Sequence, residues 1–117
     1  MATWPFLFVA ALYSLNPVTV SVYPSVSMSP ATYRITVLVP RHFDNRRICF
    51  GYSGNEGRTS CVDLEGWTSR RSWTVYYDIR TAGEYQAEAV LTRITEGREQ
   101  IHRSQQPFRV VGIEAEP

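Results

Sequence analysis

From residue 18 onward, apolar and polar positions alternate along most of the chain. Val18, Val20 and Val22 alternate with Thr19, Ser21 and Tyr23, and predict a first strand. Residues 24–30 are rich in Ser and Pro, and read as a kinked edge or a linker crossing between sheets. Tyr33, Ile35, Val37 and Val39 alternate with Arg34, Thr36 and Leu38, and Pro40 ends that strand. Residues 41–45 form a polar loop. In residues 47–52, Ile48, Phe50 and Tyr52 share one face and Cys49 takes the other. Gly51 and the run 53–57 make a flexible turn. Residues 59–64 return as a strand with Val62 and Leu64 opposite Cys61, and 65–69 form another loop. Residues 72–79 alternate throughout: Trp73, Val75, Tyr77 and Ile79 against Ser72, Thr74, Tyr76 and Asp78. A strand to about Ile94, a Glu96-Gly97 hairpin turn and a last strand from about Glu99 follow. That last strand is expected to break near Pro107 and resume through Phe108, Val110 and Val111. No segment after residue 16 carries a helical period, so the expected class is an all-β, antiparallel two-sheet sandwich of about seven strands.

Residues 81–91 organise this pattern. A turn with Gly83 feeds a strand in which Tyr85, Ala87, Ala89 and Leu91 face one way and Gln86 and Glu88 the other. The motif resembles the tyrosine corner of immunoglobulin-like and fibronectin type III-like sandwiches, with Tyr85 as the corner Tyr. Ala87 stands where an antibody domain has Cys. The resemblance covers about residues 18–111 and extends to the small Ig-like domains of exported bacterial proteins, many without an assigned activity. It implies one Ig-like domain at 22–112, its first strand starting as early as 18, followed by a flexible acidic tail at 113–117.

The N-terminus adds a different signal. Residues 4–15 are almost wholly apolar but fall short of the ~20 residues needed to span a bilayer. Their length is that of a signal-peptide core, which makes 1–21 a signal peptide with Thr19-Val20-Ser21 as the best cleavage site. No Lys or Arg precedes the run. The alternative is a mature apolar segment packed on the domain or anchoring it. Among 117 residues the formal net charge is +1, which calls for neither nucleic acid nor an anionic membrane. All twelve basic residues are Arg, scattered and nearly balanced by acids.

Few constellations carry chemistry. Cys49 and Cys61 flank a Gly-rich turn, each opposite the apolar face of its strand. If the two strands pair as a hairpin, the sulfurs meet in a disulfide, as suits an exported protein. The alternative is two reduced thiols in a cytosolic protein; the spacing does not fit a metal site. His42 lies near Asp44, and a His-Asp pair could serve as a base, but no Gly-x-Ser-x-Gly accompanies it. His42 and His102 read as surface histidines. Asp63, Glu65 and Asp78 lack calcium-loop spacing and read as solvated charges. No catalytic, cofactor or metal residue is therefore expected. Tyr52, Trp67 and Tyr76, with Arg70 and Arg71, are the candidate partner-binding set, because exposed aromatics beside Arg often build recognition surfaces.

These readings lead to a non-enzymatic, exported module for binding or adhesion at the cell surface or in the periplasm. It would take a protein or glycan ligand without a cofactor, and would meet a membrane only through an uncleaved N-terminus. The second reading is a structural or assembly domain docked through its apolar N-terminus. A hydrolase would require His42, Asp44 and a serine to converge.

Overall fold

β-Branched and aromatic residues placed at every second position favour the pleated, half-buried backbone, and that pattern becomes eight strands. The computed structural model describes residues 17–65 and 71–112. In chain order the strands are β1 (Thr19–Tyr23), β2 (Val26–Met28), β3 (Ala31–Leu38), β4 (Asn45–Ser53), β5 (Arg58–Asp63), β6 (Ser72–Ile79), β7 (Gly83–Thr95) and β8 (Arg98–Val111). No helix occurs among the described residues. One sheet has the order β1-β3-β6 and the other β2-β8-β7-β4-β5.

The core lies between the sheets. Val20 and Val22 of β1, Tyr33, Ile35 and Val37 of β3, and Ile79 of β6 face Ile48 and Phe50 of β4, Ala87, Ala89 and Leu91 of β7, and Phe108 and Val110 of β8. β1 begins at Thr19, within the apolar 1–21 segment, and Val18 just before it is fully buried. Ala87 and Ala89 are small, which lets the rings of Tyr33, Tyr52, Tyr85 and Phe108 meet nearby. Tyr33 and Phe108 have centroids 4.8 Å apart, and Tyr85 and Phe108 stack at 5.4 Å.

Three expectations change. The sheets are not wholly antiparallel, because β2 pairs parallel to β8. Residues 24–30 carry the chain from the first sheet to the edge of the second, with cis peptides at Tyr23-Pro24 and Ser29-Pro30. β8 runs unbroken through Pro107, which pairs with Gln86. The Arg109 amide donates toward β2, to the Ser25 carbonyl, so the nitrogen two residues earlier points to the same side. The register of β2 with β8 begins at Arg109, so that side of Pro107 is open and the missing N–H costs no ladder bond. Tyr52, expected at a surface, is buried at 4% exposure. Tyr52 keeps the facing of Ile48 and Phe50, and because β4 runs on to Ser53 its ring lies within the strand instead of at its end, edge-on to Tyr77 at 4.9 Å.

Glu96-Gly97 closes the β7–β8 hairpin with φ of 52° and 78°. Two positive φ values in a two-residue loop match the right-handed twist of the paired strands.

Candidate functional site

The outer face of the five-stranded sheet carries the chemistry. On β4, Arg47, Cys49 and Gly51 point away from the core. They pair with Asp63, Cys61 and Thr59 of β5 on one side and with Thr92, Val90 and Glu88 of β7 on the other. Cys49 and Cys61 are directly opposed, with Cα atoms 4.0 Å apart, and are joined as a disulfide. β5 is an edge strand among the described residues, so the disulfide lies at the margin of the sheet. Cys61 is exposed and Cys49 half-buried.

The surroundings of the disulfide are built by neighbouring rows. One row away, Arg47 Nε donates to Asp63 Oδ1 at 3.2 Å. In the opposite direction Gly51 has no side chain, and a hollow of about 50 Å³ opens there between Cys49, Thr59, Glu88 and Val90. Glu88 is held by a 2.9 Å bond from Gln105. Gly51 is required by close approach: an added Cβ would stand 1.9 Å from the Arg58 carbonyl oxygen. A glycine inside an alternating strand is the sequence signal for such a contact.

A second polar group closes one end of the sandwich. Buried Asn45 donates to the Pro40 carbonyl at 3.0 Å and accepts from Arg93 Nε at 2.8 Å. Asp44 Oδ2 accepts from the Thr95 hydroxyl at 2.8 Å. Burial lowers the Arg93 pKa from its ordinary value, against the nearby Asp44. Burial, and then Arg93, lower that of His102, whose Nε2 is buried without a partner. Nothing in the sequence pairs Asn45 with Arg93; only the register of β4 with β7 does.

The described candidate residues do not converge. His42 Nδ1 accepts the Asp44 amide at 3.0 Å, so it cannot also donate to the Asp44 carboxylate 3.8 Å away. A base oriented by Asp44 is therefore not formed, and the hydrolase set loses the pair it requires. Asp63 pairs with Arg47 and Asp78 accepts from Thr32, which separates them. Tyr76 is 65% exposed on the outer face of the other sheet, beside Arg34, which lies 5.3 Å over the Tyr23 ring. Arg71 is exposed, while Trp67 and Arg70 lie outside the described residues. Tyr85 donates to the Thr81 carbonyl at 2.6 Å.

No family model matches the chain, and no curated protein does. Among solved structures it is similar to the superoxide reductase (neelaredoxin) from Ignicoccus hospitalis at TM-score 0.50 and 11% identity, covering 81% of this chain and 80% of that one. It is also similar to two single-substitution variants of that enzyme. The Glu-to-Ala variant gives 0.53 at 12% identity, with 89% and 87% covered. The Thr-to-Lys variant gives 0.55 at 11% identity, with 97% and 100% covered.

These likenesses correct the assignment to immunoglobulin-like or fibronectin type III-like domains. They also run against the reading of a non-enzymatic binding or adhesion module, since the fold resembled is that of an enzyme, while docking through the apolar N-terminus falls on residues outside those described. At this identity the likeness carries the fold. The physical reason for the error is local: period-two alternation and a tethered Tyr85 specify a sandwich, not the family that owns it. The described residues do not fit a metal centre. Among the described residues no three His, Cys, Asp or Glu side chains come together, and both cysteines are in the disulfide.

Proposed function

We propose that this chain is a thiol–disulfide redox protein of an oxidising compartment outside the cytosol, with Cys49 and Cys61 as its redox pair. The observation that carries the reading is the placement of the disulfide on the outer face at a sheet edge, with Cys61 exposed. It lies outside the core, so opening it leaves the packing between the sheets in place. The superoxide reductase fold adds the precedent of redox chemistry on this scaffold, by fold analogy alone. An apolar N-terminal run of signal-peptide length suits export, and oxidising compartments are where disulfides persist.

The reaction is a two-electron exchange. A partner dithiol gives up two electrons and two protons and becomes a disulfide; Cys49 and Cys61 become thiols. The partner is a protein or small molecule carrying that dithiol.

The test is a redox titration of the folded protein in dithiothreitol buffers, with free thiols counted by mass after alkylation. A midpoint above about −300 mV, with unchanged circular dichroism, supports a redox role. A midpoint below that value, or loss of the fold on reduction, makes the disulfide a structural staple and overturns the reading.

A further inference from the structure

We infer that the two sulfurs are not equivalent, and that an incoming thiolate attacks Cys61 with Cys49 as the leaving group. This rests on the redox reading above and assigns the roles within it.

Thiol–disulfide exchange proceeds by attack of a thiolate on one sulfur through a mixed disulfide. The attacking sulfur must approach along the extension of the S–S bond, because the antibonding orbital it fills lies on that axis. Here the bond bridges from β4 to β5, so its two extensions point across the sheet in opposite directions. Beyond Cys61 comes the free margin of β5, with no further strand among the described residues. Beyond Cys49 comes β7, where Val90 is the residue directly opposite Cys49 on the same face. The branched Val90 side chain stands in the path to Cys49. The hollow over Gly51 is lined by Cys49 and Val90 and adjoins that path, but at about 50 Å³ it has room for a water or two and not for a thiol such as glutathione. The exposures agree: Cys61 is exposed, whereas Cys49 and Val90 are each part-covered.

The step balances. The thiolate RS⁻ forms an S–S bond to Cys61 Sγ while the Cys61–Cys49 bond breaks, and Cys49 departs as the thiolate. A second thiol of the partner then attacks the partner sulfur of the mixed disulfide. This releases Cys61 as a thiolate and leaves the partner oxidised.

The test uses the full-length oxidised protein and reduced glutathione, quenched early with N-ethylmaleimide. Arg58 separates the two cysteines after trypsin cleavage, so each can be mapped by mass. The expected product carries glutathione on Cys61 and maleimide on Cys49, in roughly tenfold excess over the reverse. Val90→Ala should raise the share of glutathione on Cys49, and the similarly shaped Val90→Thr should not. Equal labelling, a preference for Cys49, or a distribution that Val90→Ala leaves unchanged would overturn the assignment while the redox role stands. If the folded protein forms no adduct on either sulfur, the redox role and the assignment fail together.

Discussion

The hydroxyl of Tyr85 donates a 2.6 Å hydrogen bond to the carbonyl of Thr81, four residues upstream. The bond pins the turn before β7 to the strand it feeds, while the Tyr85 ring stacks on Phe108 of β8 at an interplanar angle of 18°. One side chain thus fixes both the entry to β7 and its packing on β8. Tyr85→Phe keeps the ring and removes the bond, leaving the Thr81 carbonyl to find water. The expected loss is about 1 kcal/mol, read as a lower urea midpoint with an unchanged slope. A change in slope would mean that the corner does more than tether a turn.

Asn45 is the buried polar residue of the described core margin, and both ends of its amide are used. Asn45→Ala strips the partner from the Pro40 carbonyl and from Arg93 Nε together. A loss of roughly 1–3 kcal/mol is expected. In a double-mutant cycle, Arg93→Met should restore part of it, since the guanidinium would no longer lie half-buried without an acceptor. Strictly additive effects would show that the two side chains do not depend on each other.

Acid should weaken the fold through His102. Burial and Arg93 lower its folded-state pKa, so the native state favours the neutral ring. The unfolded chain takes up the proton first, near its ordinary pKa of about 6.5. Stability from this group is therefore complete above that pH and is lost as pH falls through the window between the unfolded and folded values. Urea midpoints measured from pH 7.5 downward should fall for the native sequence and fall less for His102→Gln. Parallel pH profiles for the two proteins would remove His102 as the cause. At the other extreme, burial raises the pKa of Tyr33, Tyr52, Tyr77 and Tyr85, so stability should also fall as pH climbs past about 10.

What could be read from the chain beforehand follows from what alternation encodes. The Trp73, Val75, Tyr77 and Ile79 series marks β6 to its observed ends. The opposite facing of Cys49 and Cys61 from their apolar neighbours anticipates the disulfide, because side-chain parity and hairpin pairing are both local. Pro107 misleads, since whether a proline breaks a strand depends on which side its nitrogen faces, and that is a property of the sheet. Tyr52 misleads for a related reason: moving a strand end by one residue decides whether its ring is inside. The Asn45–Arg93 pair and the barrier at Val90 depend on the register of β4 with β7, to which neither strand alone is sensitive. Family is harder still, because many chains of unrelated chemistry can share one order of strands.

Gly51 and Gly97 are both required, for different reasons, and substitutions should separate them. At Gly51 the obstacle is space: a Cβ would stand 1.9 Å from the Arg58 carbonyl oxygen, a backbone atom that cannot swing aside. At Gly97 nothing lies within 4 Å, but φ is +78°, a left-handed conformation that costs an L side chain about 1–2 kcal/mol. Gly97→Ala should lose about that amount, and Gly97→Asn should lose less, because Asn tolerates the left-handed region. Gly51→Ala should force β5 away from β4 at a cost of roughly 1–3 kcal/mol, as overpacking does, with no rescue by Asn. Because that displacement acts one row from the disulfide, Gly51→Ala should also speed reduction of Cys49–Cys61 by dithiothreitol, whereas Gly97→Ala should leave the rate alone. Equal reduction rates in the two variants would mean that the β4–β5 pair tolerates the added methyl, and the space argument at Gly51 would fall.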